Sequence, residues 1–318
     1  MVIDATRRKS LVAAAITVTA LGGAAVPASA ATSQSSATSQ SSTTSHGSAA
    51  SVVLAASLRG ANEVPVAGGP AVGDKDGAAL EFIQVKGDKV TVAVTWRGTA
   101  EPTDLHIHQG AKGTNGGVKI DFGKLLKKAK AHSVTGSVKV TDKALLKQLT
   151  TDPGAFYANL HTAEFPGGAL RGQLHAVTTV SDLRAGGFQA SVVTGKQIYQ
   201  CKPADGGGYA FAQRDVSAKL GGGIRHSFVA PNSGTPQWVA PDGSAVTGAV
   251  LTKTANGTGN IPELDLKTTR SGKKHGLLAH TGEILRLNTV GGVAPAGSCT
   301  PGAVVGVPYS ADYVFVQH

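Results

Sequence analysis

The stretch Asp104-Leu105-His106-Ile107-His108-Gln109-Gly110 sets two histidines one residue apart. In an extended chain, residues i and i+2 share a face about 6.6 Å apart, at a rise of about 3.3 Å per residue. Two imidazoles so spaced can both reach one ion at about 2.0 Å, and imidazole sets suit copper or zinc. A third histidine, His161, stands in Phe-Tyr-Ala-Asn-Leu-His-Thr at 156–162, and a fourth, His175, ends Leu-Arg-Gly-Gln-Leu-His at 170–175. The candidate ligands are therefore His106, His108 and His161. His175 or Asp104 could complete the set or orient it from behind. The same residues also fit a plainer reading, in which the imidazoles are ordinary polar positions facing away from a core.

Alternation decides which elements carry these side chains. Leu105 and Ile107 share one face of the first stretch, leaving Asp104, His106 and His108 on the other. Phe156, Ala158 and Leu160 oppose Tyr157, Asn159 and His161. Leu170, Gly172 and Leu174 oppose Arg171, Gln173 and His175. Each stretch reads as a strand with an apolar face for the core and its histidines opposite. The metal reading requires these strands to be neighbours. Arg171 could steer an anion toward such a centre or hold a turn.

Short alternating runs dominate the rest of the chain, among them 89–96, 133–140 and 311–316, with glycine-rich turns between them; 42 glycines are spread over 318 residues. This pattern predicts an all-β protein: two antiparallel β-sandwich or barrel domains in tandem. One or two short helices are expected, at 142–150 with Leu145, Leu146 and Leu149 on one face, and at 124–131. The glycine-rich segment 110–117 lacks the Lys-Ser/Thr ending of a phosphate loop.

Residues 1–30 read as a signal peptide. Arg7, Arg8 and Lys9 precede an apolar run, and Ala28-Ser29-Ala30 offers small residues for cleavage between Ala30 and Ala31. The two arginines fit twin-arginine export as well as the general secretory route. Residues 31–50 are almost entirely Ser, Thr, Ala, Gln and Gly, too polar to offset their ordering entropy, and read as a disordered spacer. The remaining boundaries fall at 51–177 and 178–318. No second long apolar run occurs, so an exported, soluble mature chain is expected, secreted or wall-associated. The formal charge of +10 comes from scattered Lys and Arg without a nucleic-acid-binding pattern. It points instead to an anionic cell-wall polymer or an extracellular protein as partner.

Cys201 and Cys299 are the only cysteines. One even pair in an exported chain suggests one disulfide, with two buried thiols as the other reading. In the second half, Asp242 and Ser244 could hint at a hydrolase. No nucleophile-elbow pattern surrounds Ser244, however, and Asp-Gly there signals a turn. His226, His275 and His280 lie far apart in sequence. Trp238, Tyr199 and Tyr209 could stack on a carbohydrate or simply pack a core.

Three motifs carry a family resemblance: "SLRGANEVP" (57–65), "DLHIHQGAKGTNGGVKIDF" (104–122) and "FYANLHTAEFPGGALRGQLHA" (156–176). In this order and spacing they resemble the CHRD domain, first recognised in chordin. Ala169 stands in place of the acidic residue usual before "IRGQL", and Gly117 replaces the proline usual after the Asn-Gly pair. In chordin the resemblance implies growth-factor binding; in exported bacterial members it implies an extracellular domain without an assigned role. The second half resembles an uncharacterised exported family through "YQC", "NTVGGVAPAGSC" and "YSADYVF", with Glu263 in place of a usual tryptophan. The His-x-His strand is also similar to that of copper–zinc superoxide dismutases, but no histidine-rich loop follows His108. The expectation is a secreted, non-catalytic binding or structural protein. The alternative is a copper- or zinc-binding protein, redox-active in the manner of a dismutase.

Overall fold

The computed structural model describes residues 51–183 and 186–318. The signal peptide and spacer, with the cleavage site at Ala30 and Ala31, lie outside the described residues. Two β bodies follow one another. The first comprises β1 (Ser51–Arg59), β2 (Ala78–Lys86), β3 (Lys89–Arg97), β4 (Pro102–Gln109), β5 (Val118–Asp121), β6 (Ser133–Lys139), α1 (Lys143–Thr151), β7 (Phe156–Thr162), β8 (Leu170–Gln173) and β9 (His175–Val177). Its strands form one antiparallel sheet in the order β5-β4-β7-β8-β1-β2-β3-β6, with β9 pairing β1. The sheet curls into a half-barrel.

Alternation sets its two faces. Leu54, Ala56 and Leu58 of β1, Val90, Val92 and Val94 of β3, and Leu105 and Ile107 of β4 join Phe156, Leu160 and Leu170 in one apolar core. Helix α1 adds Leu146 and Leu149 to it. Asp142 caps that helix, accepting a hydrogen bond from the Leu145 amide at 2.9 Å, which satisfies one of its free first-turn donors. The second expected helix is a shorter 3-10 segment at Gly123–Lys128. The β2–β3 hairpin turns on Gly87-Asp88, and Gly87 takes φ 60°, a conformation that matches the strand twist and favours glycine.

The second body runs through β10 (Gly187–Pro203), β11 (Tyr209–Leu220), β12 (Arg225–Phe228), β13 (Pro236–Val239), β14 (Ala245–Thr254), β15 (Glu263–Arg270), β16 (Thr281–Gly291) and β17 (Val304–Gln317). Each strand pairs the next, and β17 returns to β10 to close an eight-stranded barrel. Closure leaves no sheet edge. Trp238, Tyr313, Phe315, Ile284 and Leu266 point inward. Cys201 and Cys299 form a disulfide that spans 98 residues of sequence. Asp242 holds a turn: its carboxylate accepts from the Ser244 amide and hydroxyl and from the Leu277 amide.

The outer faces of the two bodies share a third apolar cluster. Val53, Ala55, Leu80, Phe82 and Val177 pack against Leu285, Leu287, Val314 and Val316 of the barrel wall. Beside it the Asp312 carboxylate accepts from Arg59, Ser57 and Asn288. The Glu283 carboxylate takes the backbone amides of Thr178 and Thr179. Among the described residues no helix is long and apolar enough to cross a membrane.

Candidate metal centre

The pairing of β4 with β7 brings the histidines together. The register sets Asp104 opposite His161, His106 opposite Asn159 and His108 opposite Tyr157. Leu105, Ile107, Ala158 and Leu160 are fully buried on the core side, so the three imidazoles emerge together on the outer face. One nitrogen from each of His106, His108 and His161 lies within 4.8 Å of the others.

The remaining ring nitrogens are already engaged. His108 Nδ1 lies 2.9 Å from the Gly116 carbonyl, and His161 Nδ1 lies 3.1 Å from the Pro166 carbonyl. A carbonyl only accepts, so both rings carry their proton on Nδ1 and turn a bare Nε2 lone pair to the centre. His106 points Nδ1 inward, 3.3 Å from His161 Nε2. Its Nε2 faces the carboxylates of Asp121 at 3.7 Å and Asp104 at 3.9 Å. Burial lowers the pKa of His108 and of His161, each opposed by its backbone hydrogen bond. Desolvation thus keeps these two rings neutral, the form that ligates.

His108 Nε2 is buried with no hydrogen-bond partner. Buried polar nitrogens are nearly always satisfied, so this lone pair is free to ligate. In a tetrahedral site with bonds of about 2.0 Å, ligand nitrogens stand about 3.3 Å apart, the separation found between His106 and His161. Three imidazoles backed by carbonyls and carboxylates are donors of the type that suits zinc or copper.

A second layer holds the rings. Tyr157 stacks on His108 at 4.8 Å with planes 8° apart, and the Arg171 guanidinium sits 3.5 Å over the Tyr157 ring. Arg171 donates to Asn115 Oδ1 and to the Thr114 and Ala111 carbonyls. It therefore fixes the 110–117 loop, whose Gly116 carbonyl orients His108, and has no free guanidinium face for steering anions. A Cβ at Gly116 would stand 1.6 Å from the Gln109 carbonyl oxygen, so only glycine fits this approach. A cavity of about 210 Å³ opens beside the imidazoles, lined by His108, His161, Tyr157, Asn159, Glu63 and Val66 among others. Burial pushes the Glu63 carboxyl up to about 7, against the pull of Asn159 and Arg171.

His175 is not part of this centre. Pairing breaks at Leu174, and β9 continues against β1 alone, with His175 opposite Ala55. Ala55 faces the barrel, so His175 does too, 3.6 Å from Glu263. Glu263 also binds Lys112 at 2.9 Å and accepts from the Asn288 amide. The residue that stands in place of the usual tryptophan thus joins the two bodies. Asp104 lies 3.9 Å from His106 Nε2, beside the three imidazoles. Ligand spacing alone does not mark Asp121, Glu63 or the Gly116 and Pro166 carbonyls, although all four fall inside the quoted family motifs. Trp238 and Tyr199 lie inside the barrel rather than on a shallow surface, and Tyr209 is exposed.

The fold and site define an all-β chain whose half-barrel carries a three-imidazole centre and whose second body is a closed barrel. Residues 54–174 match the family model of the CHRD domain, and residues 213–317 match that of a protein of unknown function (DUF3455). The chain therefore carries a CHRD domain followed by a DUF3455 domain. CHRD domains occur in extracellular proteins, and the disulfide agrees with that setting. No curated protein and no solved structure matches the chain.

Proposed function

We propose that this chain is an extracellular metal-binding protein whose CHRD domain holds one zinc or copper ion through His106 Nδ1, His108 Nε2 and His161 Nε2. The buried, unpartnered Nε2 of His108 carries this reading. The backbone carbonyls that fix the tautomers of His108 and His161, and the carboxylates of Asp104 and Asp121 behind His106, support it. The small cavity beside His108 and His161 leaves room for a fourth ligand from solvent or from a partner. The role is one of binding, with the ion held on a rigid sheet rather than on a mobile loop. A signal peptide in residues 1–30 would deliver the chain to the oxidising space in which its disulfide forms.

The test is metal analysis of the purified chain after exposure to zinc or copper and extensive dialysis. One ion per chain is expected in the wild type and in His175→Ala. Loss of the ion is expected in the paired substitution His106→Ala with His108→Ala. Retention of the full metal content in that paired variant, or its absence from the folded wild type, refutes the assignment.

A further inference from the structure

The barrel of the second body is not solid. A cavity of about 560 Å³ opens into it, lined by residues from all eight strands, from Gln197 and Tyr199 on β10 to Tyr313 on β17. It runs from inward-facing residues of the barrel to an open mouth where Val250 and Val293 are exposed, and its volume lies within the range of small-molecule sites, about 300–1,000 Å³. The loop 292–303, which supplies Val293 and Ala294 to the lining, is tied to β10 by the Cys201–Cys299 disulfide.

The lining has a single sign of charge. It includes Arg286 and Lys253 and no Asp or Glu. Alternation explains this segregation. On β16, Ile284 points inward and Leu285 and Leu287 pack outward, so Arg286 projects into the lumen. The barrel's buried carboxylates sit on outward positions: Asp312 with Arg59, Glu283 with Thr178 and Thr179, Asp265 beside Glu283, and Glu263 with Lys112. Arg286 therefore has no carboxylate partner among the described residues. Its Nη2 donates to the Pro262 carbonyl at 2.8 Å, while its Nε is buried without an acceptor. Trp238 Nε1 and Gln197 Nε2, on two other lining side chains that are almost wholly buried, also lack a protein acceptor. Buried donors are nearly always satisfied; three around one lumen ask for an acceptor-rich guest.

The walls supply the rest of the recognition. His226 stacks flat on Trp238 at 4.4 Å, and Tyr313 meets both rings edge-on. Burial pushes the His226 imidazole down to about 3, against its hydrogen bond to the Gln237 carbonyl, so this ring is a neutral aromatic surface at ordinary pH. Aromatic walls favour a flat apolar body, and a guanidinium favours a carboxylate, which it can bind through two parallel hydrogen bonds.

We infer that the barrel lumen is a binding site for a small aromatic or otherwise apolar carboxylate, its anionic group on Arg286 and its body against Tyr199, Phe228 and Leu264. The site is separate from the histidine centre and stands or falls without it.

Calorimetric titration of the purified full chain with 2-naphthoate, 2-naphthylmethanol and 2-naphthylmethylamine tests this. The three probes share a ring system and differ in charge. Naphthoate is expected to saturate at one per chain and to bind at least tenfold tighter than the alcohol, with the amine weakest. Arg286→Gln is expected to erase the tenfold preference while leaving the alcohol's affinity unchanged. The paired His106→Ala and His108→Ala variant is expected to keep naphthoate binding, which excludes capture by a metal. Should Arg286→Gln fail to fold, the order of the three probes on the wild type and the loss of the preference in high salt decide the matter. Equal binding of acid and alcohol, no saturable binding, or an unchanged preference in folded Arg286→Gln overturns the inference.

Discussion

Glu81 of β2 is completely buried, and both of its carboxyl oxygens lack a hydrogen-bond partner. Its neighbours along the strand, Ala79 and Ile83, belong to the first core, and the residues opposite it are Ala56 and Val94. Among the described residues no cation stands by it, and burial alone pushes its pKa from 4.5 up to about 8. Below pH 4.5 the carboxyl is protonated in both states and costs the fold nothing through ionisation. Between pH 4.5 and 8 the unfolded chain releases this proton and the folded one keeps it, so stability falls by about 1.4 kcal/mol per pH unit. Above pH 8 both states are ionised and the loss is complete, about 5 kcal/mol over the 3.5 units. That is a large share of a typical total of about 5–15 kcal/mol. Glu81→Met keeps an unbranched side chain of similar length and removes the charge. Urea unfolding of both proteins, followed by far-UV circular dichroism at pH 4.5, 6 and 8 and one ionic strength, measures the effect. The difference between the two cancels every other titrating group they share. The variant's advantage should grow by several kcal/mol from pH 4.5 to 8. A difference that stays constant with pH refutes an unpaired buried carboxyl at this position.

Asp104→Asn together with Asp121→Asn keeps all three imidazoles but removes the carboxylates behind His106. Metal affinity measured by competition with a chelator should drop about 10–100-fold with little change in melting temperature. Gly116→Ala drives a methyl into the Gln109 carbonyl and should shift the carbonyl that orients His108, lowering both metal affinity and thermal stability. Replacing Cys201 and Cys299 by serine opens a loop of 98 residues and should cost about 5 kcal/mol of unfolding free energy in the chain-entropy account. The Asp312 carboxyl is raised by burial but held below its ordinary value overall by Arg59, Asn288 and Ser191. Its stabilisation is present above the ordinary carboxylate range and is lost as pH falls through the folded value, so Asp312→Asn should flatten the acid limb of the stability profile.

The face of each side chain was legible in the sequence, because a period of two leaves no choice once Leu105, Ile107 and Leu160 claim the core. The distance between faces was not. Whether His161 meets His106 depends on β4 pairing β7 in a register that sets Asp104 opposite His161, and no local pattern encodes that register. The same limit explains His175: alternation through Leu174 carries it to the correct face of the sheet, but the chain there leaves β7 and continues along β1 alone, which puts it under the barrel. The interface between the two bodies was hidden for a related reason. Val53, Ala55, Leu80 and Phe82 make β1 and β2 apolar on both faces, and a strand apolar on both sides reads simply as a buried strand. Its second face is explained only once the barrel presents Leu285, Leu287, Val314 and Val316 to it. That contact also bears on the candidate centre. The outer face of this sheet is divided between β1 and β2, which the barrel covers, and β4 and β7, which carry the imidazoles under the loops around Glu63 and Gly116. A three-histidine set can therefore sit beside a large apolar interface on one face of the same sheet, held rigid by the packing of its neighbours.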